Sequence, residues 1–119
     1  MILVDTSVWV SHLKAGEGRL RGLLTDGKVL CHPFVVGELA CGNIKNRREI
    51  LSLLQLLPMA KTASDEEVLH FIDRQNLMGI GLGLVDVHLL ASALLSKASL
   101  WTLDKQLEAA RIKLQIDHK

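Results

Sequence analysis

Of the thirteen acidic residues in this 119-residue chain, four stand where carboxylates are unusual. Asp5 follows the apolar run Ile2-Leu3-Val4, Glu38 lies within PFVVGELA, Asp86 within LGLVDVHLLASALL, and Asp104 after LWTL. Asp5, Glu38 and Asp86 have no Lys, Arg, Asp or Glu within six residues on either side, whereas Asp104 adjoins Lys105. An acid buried without a partner is costly, so each needs a compensation that its sequence neighbours do not supply. Two carboxylates about 4 Å apart repel by roughly 4 kcal/mol at an effective dielectric near 20. Four gathered together therefore require positive charge among them. An all-oxygen donor set suits Mg²⁺ or Mn²⁺ rather than zinc, and such an ion activates water and stabilises in-line displacement at phosphorus.

The acids can meet only if the fold delivers them to one place. Ile2-Leu3-Val4 reads as a short buried strand ending at Asp5, with Thr6 and Ser7 placed to cap the helix of Val8, Trp9 and Leu13. Gly16 and Gly18 interrupt that helix, and a second, through Leu20, Leu23 and Leu24, stops at Gly27. Lys28–Cys31 reads as a strand, and His32-Pro33 opens a helix carrying Glu38. Gly37 within that helix suggests close approach of a backbone or a ligand beside Glu38. Asp86 falls in the first turn of an apolar helix after a glycine loop, and Asp104 falls just past the strand Ser99–Thr102. Parallel strands bring their C-terminal ends to one edge of a sheet, where ligands bind in open α/β folds. Asp5, Asp86 and Asp104 are thereby placed to meet, and Glu38 must reach them from its helix.

Further elements complete an alternation of strands and helices, which argues for a mainly parallel sheet covered on both faces. Asn46 and Glu49 have capping-box spacing before a stripe of Ile50, Leu53, Leu54 and Leu57 that Pro58 closes. Leu51 and Leu56 widen this stripe, so the helix is either a partner or dimer surface or one with a wide core face. Met59–Thr62 is a connector or a short edge strand. Ser64 and Glu67 form a second capping box. Ile112, Leu114 and Ile116 alternate with polar residues, as a half-buried last strand would. No linker or repeat divides residues 1–119, which are expected to form a single domain.

Composition narrows the classes of function. A hydrophobic fraction of 49% and mean hydropathy of +0.27 are high for so small a domain and suggest an uncovered patch, hence a homodimer or a protein partner. The least charged long run, Leu77–Ser96, has Asp86 and His88 at its centre, which argues against a membrane span. Cys31 and Cys41 lack metal-ligand or CxxC spacing and read as reduced core residues of a cytoplasmic protein. A net charge of +1 carries no global nucleic-acid signal. Locally, Arg19 and Arg21 and the cluster Lys45, Arg47 and Arg48 could track phosphates or simply end solvated helices.

Other chemistries have weaker support. Five histidines invite a metal-independent ribonuclease with His12 or His32 as acid and base, but no pair has telling spacing. Gly79, Gly81 and Gly83 follow a helix rather than a strand, so the dinucleotide fingerprint fails. Asp5 at a strand end would also suit an aspartyl-phosphate phosphatase, yet DTS lacks the second acid two residues later. A catalytically silent module that binds RNA or a partner protein would have no reason to bear the repulsion of four acids.

Taken together, DTSVW, GEL on a helix, GLGLVDVHLLASAL and WTLD resemble the PIN domain, and more narrowly the ribonuclease toxins of VapBC toxin–antitoxin pairs. The resemblance spans nearly the whole chain. It implies a three-layer α/β/α sandwich, Mg²⁺ or Mn²⁺ bound by carboxylates, endonucleolytic cleavage of RNA, and neutralisation by an antitoxin covering the acidic groove. Carried onto this sequence, the cluster is Asp5, Glu38, Asp86 and Asp104, with Asp5 and Asp86 as principal metal ligands. Ser7 and Thr102 are implied as polar supports, a role in which Thr6 could replace Ser7. After Asp104, LDKQLEAA lacks the further acid and aromatic residue found in some relatives of this type.

Overall fold

The computed structural model describes residues 1–118. Ile2-Leu3-Val4 forms strand β1 (Ile2–Val4), and all three residues are buried. Successive side chains of a strand point to opposite faces, so this burial requires cover on both faces of the sheet. Strands β2 (Val29–Leu30) and β3 (Ser99–Trp101) pair with β1 in parallel, giving the order β2-β1-β3. Ile2 is in register with Val29 and Ser99, and Leu3 with Leu30 and Leu100. The chain thus winds outward from β1 on one side and later returns on the other. The reversal of strand order falls at the C-terminal end of β1, beside β3, which is where Asp5 emerges.

Among the described residues, seven helices complete the α/β sandwich. They are α1 (Thr6–Ala15), α2 (Gly18–Thr25), α3 (Pro33–Cys41), α4 (Arg47–Leu54), α5 (Asp65–Gln75), α6 (Leu84–Leu95) and α7 (Lys105–Lys113). Helix α6 is the central one: Val87 through Ala93 are all buried, as its nearly uninterrupted apolar sequence requires. Leu3, Leu20, Leu39, Leu89, Leu90, Leu100 and Leu107 are fully enclosed. None of the helices among the described residues is long and apolar enough to cross a membrane.

Several local expectations change. The alternation of Ile112, Leu114 and Ile116 does not make a strand. Helix α7 runs to Lys113 and leaves Ile112 exposed, because Leu107, Ala110 and Leu114 continue a helical stripe. Only Ile116 is buried among the three, and the following Asp117 carbonyl accepts a hydrogen bond from the Leu100 amide at 2.9 Å. Asn46 takes a left-handed conformation at φ 53° and its side chain caps nothing, so the expected box with Glu49 is not formed. Helix α4 also stops at Leu54, before Pro58. Asp5, rather than Ser7, is the N-cap of α1, since the helix already begins at Thr6. Cys31 is buried but Cys41 is exposed, and both thiols are free. The box at Ser64 and Glu67 forms with both of its hydrogen bonds. Met59 makes a single parallel bridge to Cys31, which resolves that segment as a minimal edge pairing.

The start of α3 matters for the position of Glu38. His32 is its N-cap and Pro33 its first residue. The buried His32 ring accepts from the Phe34 N–H through Nδ1 at 3.0 Å, which leaves the proton on Nε2 to donate to Ser92 Oγ, also at 3.0 Å. This neutral tautomer satisfies both nitrogens, whereas a second proton would remove the cap and place charge at the positive helix end. Burial, reinforced by His88, lowers the His32 pKa to about 4. A depressed pKa gives stability that is present above the unfolded value and lost as pH falls toward the folded one. Resistance to urea should accordingly decline between about pH 6.5 and pH 4. His32→Asn, which still caps but does not titrate, should flatten that decline in denaturation curves taken across the range.

Candidate active site

Asp5 leaves the sheet at the end of β1 with only 5% of its surface exposed. Its Oδ2 accepts from the Ser7 hydroxyl and from the Thr102 hydroxyl, each at 2.7 Å, and from the Ser7 amide at 3.4 Å. The direction of both hydroxyl protons is set from behind. Ser7 Oγ accepts from the Leu103 amide at 2.9 Å, and Thr102 Oγ1 accepts from the Asp104 amide at 3.0 Å. Each hydroxyl therefore turns its hydrogen to Asp5, and backbone dipoles of the loop after β3 are relayed to the carboxylate. Such chains polarise one another in a low-dielectric setting.

The other acids follow the same plan. Asp86 is half-buried in the first turn of α6, and its Oδ2 accepts from the Gly83 amide at 3.0 Å. Asp104 is exposed and caps α7, its Oδ1 accepting from the Leu107 amide at 2.9 Å. Glu38 is exposed on α3 and its Oε1 accepts from the Thr6 hydroxyl at 2.6 Å. Thr6 and Ser7 thus divide the supporting work that the sequence left open between them. In all four acids one carboxylate oxygen is anchored, and the other makes no hydrogen bond among the described residues.

Asp86 reports on the proximity of the others. Its carboxyl pKa is raised, first by burial, against the lowering effect of the Gly83 amide, and further by the charges of Asp5, Asp104 and Glu38. None of the four acids is ion-paired among the described residues, where Arg111 pairs with Glu108 and His88 Nε2 lies 4.0 Å from Asp65. The convergence is looser than the sequence suggested. Among the described residues, no three His, Cys, Asp or Glu side chains close around a point where they could hold an ion unaided. Mutual repulsion keeps bare carboxylates apart, and an open set still matches Mg²⁺, which takes one or two carboxylates and completes its shell with water and substrate phosphate. The anchored geometry, the free oxygens and the absence of a basic partner fit a hard divalent cation.

The basic candidates do not line this edge as a set. The Arg19 guanidinium lies 4.5 Å from the centre of the Trp101 ring, and Arg21 reaches back over Gly16. Arg47 donates twice to the Ala40 carbonyl, at 3.0 and 2.9 Å, where it ties down the end of α3. Lys45 and Arg48 are exposed. The histidine alternative loses its candidates too. His12 Nδ1 accepts from the Glu17 amide at 2.9 Å, and His32 is committed to its cap and to Ser92. What sequence reasoning missed is the backbone half of the network, the amides of Gly83, Leu103, Asp104 and Leu107. At Gly37, where the sequence suggested close approach of a backbone or a ligand beside Glu38, an added Cβ would meet nothing outside its own helix turn within 4 Å, so no neighbouring backbone approaches and the space is open.

Comparison with known proteins places these features in a family. The family model for the PIN domain matches residues 2–113. The chain is 51% identical over 111 residues to Ribonuclease VapC32 of Mycobacterium tuberculosis, in strain CDC 1551 / Oshkosh and in strain ATCC 25618 / H37Rv. The aligned region covers 92% of this chain and 90% of each relative.

A stability prediction follows from Asp86. An acid whose pKa is raised on folding contributes stability that is present at low pH and is lost as pH rises through the folded value. Ionised Asp86 thus weighs against the fold at neutral pH. Asp86→Asn, whose amide oxygen can still accept from Gly83, should melt a few degrees higher than the parent at pH 7. That advantage should vanish below about pH 4, and millimolar Mg²⁺ should raise the melting temperature of the parent more than that of the variant.

Proposed function

The chain belongs to the PIN-domain family, and from that premise we propose that it is a divalent-metal-dependent endoribonuclease, the toxin of a type II toxin–antitoxin pair. The observation that carries the reading is the hydrogen-bonded linkage of acids at one sheet edge, Asp5 through Thr102 to the Asp104 amide and Glu38 through Thr6, with Asp86 at the head of α6 and no ion pair to any of the four among the described residues. The name and identity of the relatives support the nuclease assignment and its use of RNA.

Asp5 and Asp86 are the principal ligands proposed for Mg²⁺ or Mn²⁺, because they are the less exposed pair and each has one oxygen fixed by hydrogen bonds. Glu38 and Asp104, more exposed, complete the negative edge from α3 and α7. When bound, the cation supplies Lewis-acid stabilisation at phosphorus and a water acidified enough to attack, leaving a 5′-phosphate and a 3′-hydroxyl. Ser7 and Thr102 fix the orientation of the Asp5 carboxyl group by donating hydroxyl hydrogen bonds to its Oδ2. Thr6 does the same for Glu38. This prearrangement avoids reorganising the carboxylates during reaction.

The partners proposed are RNA, a cognate antitoxin protein and a second copy of the chain, acting in the cytoplasm. Leu53 in α4 and Leu56 just after it, at 53% and 81% exposure, are among the exposed apolar residues open to a protein partner.

Replacement of one ligand oxygen by an amide should stop cleavage while sparing the fold. Asp5→Asn should lower the RNA cleavage rate by at least about 10³-fold with an unchanged circular dichroism spectrum. Excess EDTA should silence the parent, and Mg²⁺ or Mn²⁺ should restore it. Full activity in a folded Asp5→Asn chain, or cleavage indifferent to EDTA, would contradict the proposal.

A further inference from the structure

An open apolar groove of about 520 Å³ adjoins the acidic edge, lined by Pro33, Phe34, Gly37, Glu38, Cys41 and Val85. It shares Glu38 with the acid cluster, and Val85 immediately precedes Asp86. Phe34 is 39% exposed, yet its ring is fixed from behind. It packs edge-to-face with His88, ring centres 4.6 Å apart, and with His32 at 5.3 Å. One turn further along α3, Gly37 leaves the groove floor open, with no atom within 4 Å of where a Cβ would stand. The open space there leaves room for a ligand beside Glu38.

We propose that this groove is the subsite for one unpaired nucleobase of the RNA, stacked against Phe34 and adjacent to the bond that is cut. The inference rests on the ribonuclease reading and adds that the substrate is single-stranded at the cleavage position. One observation favours a base over an apolar peptide. Glu38 forms part of the groove wall, and an aliphatic side chain laid across it would strip water from a carboxylate without pairing it. A nucleobase offers a flat face for Phe34 and N–H donors at its edge, and such stacking is sequence-tolerant and suited to unpaired RNA.

The test uses an eight-nucleotide oligo-uridine carrying one 2-aminopurine at successive positions, added with Mg²⁺ to the Asp5→Asn chain so that no cleavage intervenes. Stacking should quench the fluorescence strongly at one position. Adding Phe34→Ala should weaken binding at that position at least about fivefold and abolish the quench, while Phe34→Tyr should retain both. Gly37→Val should also abolish the quench by filling the groove. Binding and quench unchanged by Phe34→Ala in a folded chain would overturn the subsite. So would unchanged quenching together with a shift in oligomeric state, which would make the groove a protein interface. RNA cleavage by the unsubstituted chain, measured in parallel, keeps the two readings apart: its absence defeats the nuclease assignment, and its presence with indifferent Phe34 defeats only the subsite.

Discussion

The candidate site is organised around the buried Asp5 carboxyl group, which is held by hydrogen bonds and, among the described residues, by no cation of the protein. Two hydroxyls donate to the same oxygen of Asp5, and each is itself fixed by a backbone amide from the segment that follows β3. This joins the start of the chain to residues nearly a hundred positions later. The parallel pairing of β1 with β3 is what makes the join possible, because it brings Val4 level with Trp101 and so Asp5 beside Thr102. An ion pair with Lys or Arg would leave less negative charge at this edge for the divalent cation we propose.

The same economy governs the other acids. Each is held by one oxygen through a local or cross-element hydrogen bond, and the second oxygen makes none among the described residues. Helix starts do part of this work: Asp5 and Asp104 are themselves N-caps, and Asp86 sits in the first turn of α6. Negative charge is favoured at these positions by the helix dipole, so three of the four repelling carboxylates are placed where the backbone partly offsets their repulsion. Glu38 is the exception. It sits mid-helix, lacks that support, and is exposed and held by Thr6 instead.

Much of this was legible in the sequence, for identifiable reasons. A β-branched apolar run ending in Asp5, and Asp86 at the head of a wholly apolar helix, are local contrasts that survive without knowledge of the fold. The roles of Ser7 and Thr102 came only from resemblance to a family, since a contact across 95 or more residues has no local signature. The last strand was misread because Ile112, Leu114 and Ile116 satisfy a two-residue period over a stretch too short to exclude a helix end. Asn46 defeated the capping-box pattern by adopting a left-handed conformation, which no residue spacing encodes. A sequence shows which acids could gather but not their spacing, and among the described residues no three of them close around a point.

The central claim is that a divalent cation binds between Asp5 and Asp86 at the C-terminal edge of the sheet. Paramagnetic broadening by Mn²⁺ in amide-resolved NMR spectra tests it most directly. Substoichiometric Mn²⁺ should selectively erase the amide signals of Ser7, Gly83, Leu103 and Asp104, which donate into the network around the acids. Excess Mg²⁺ should restore them. Broadening centred elsewhere on the surface, or none at these amides, would contradict the account.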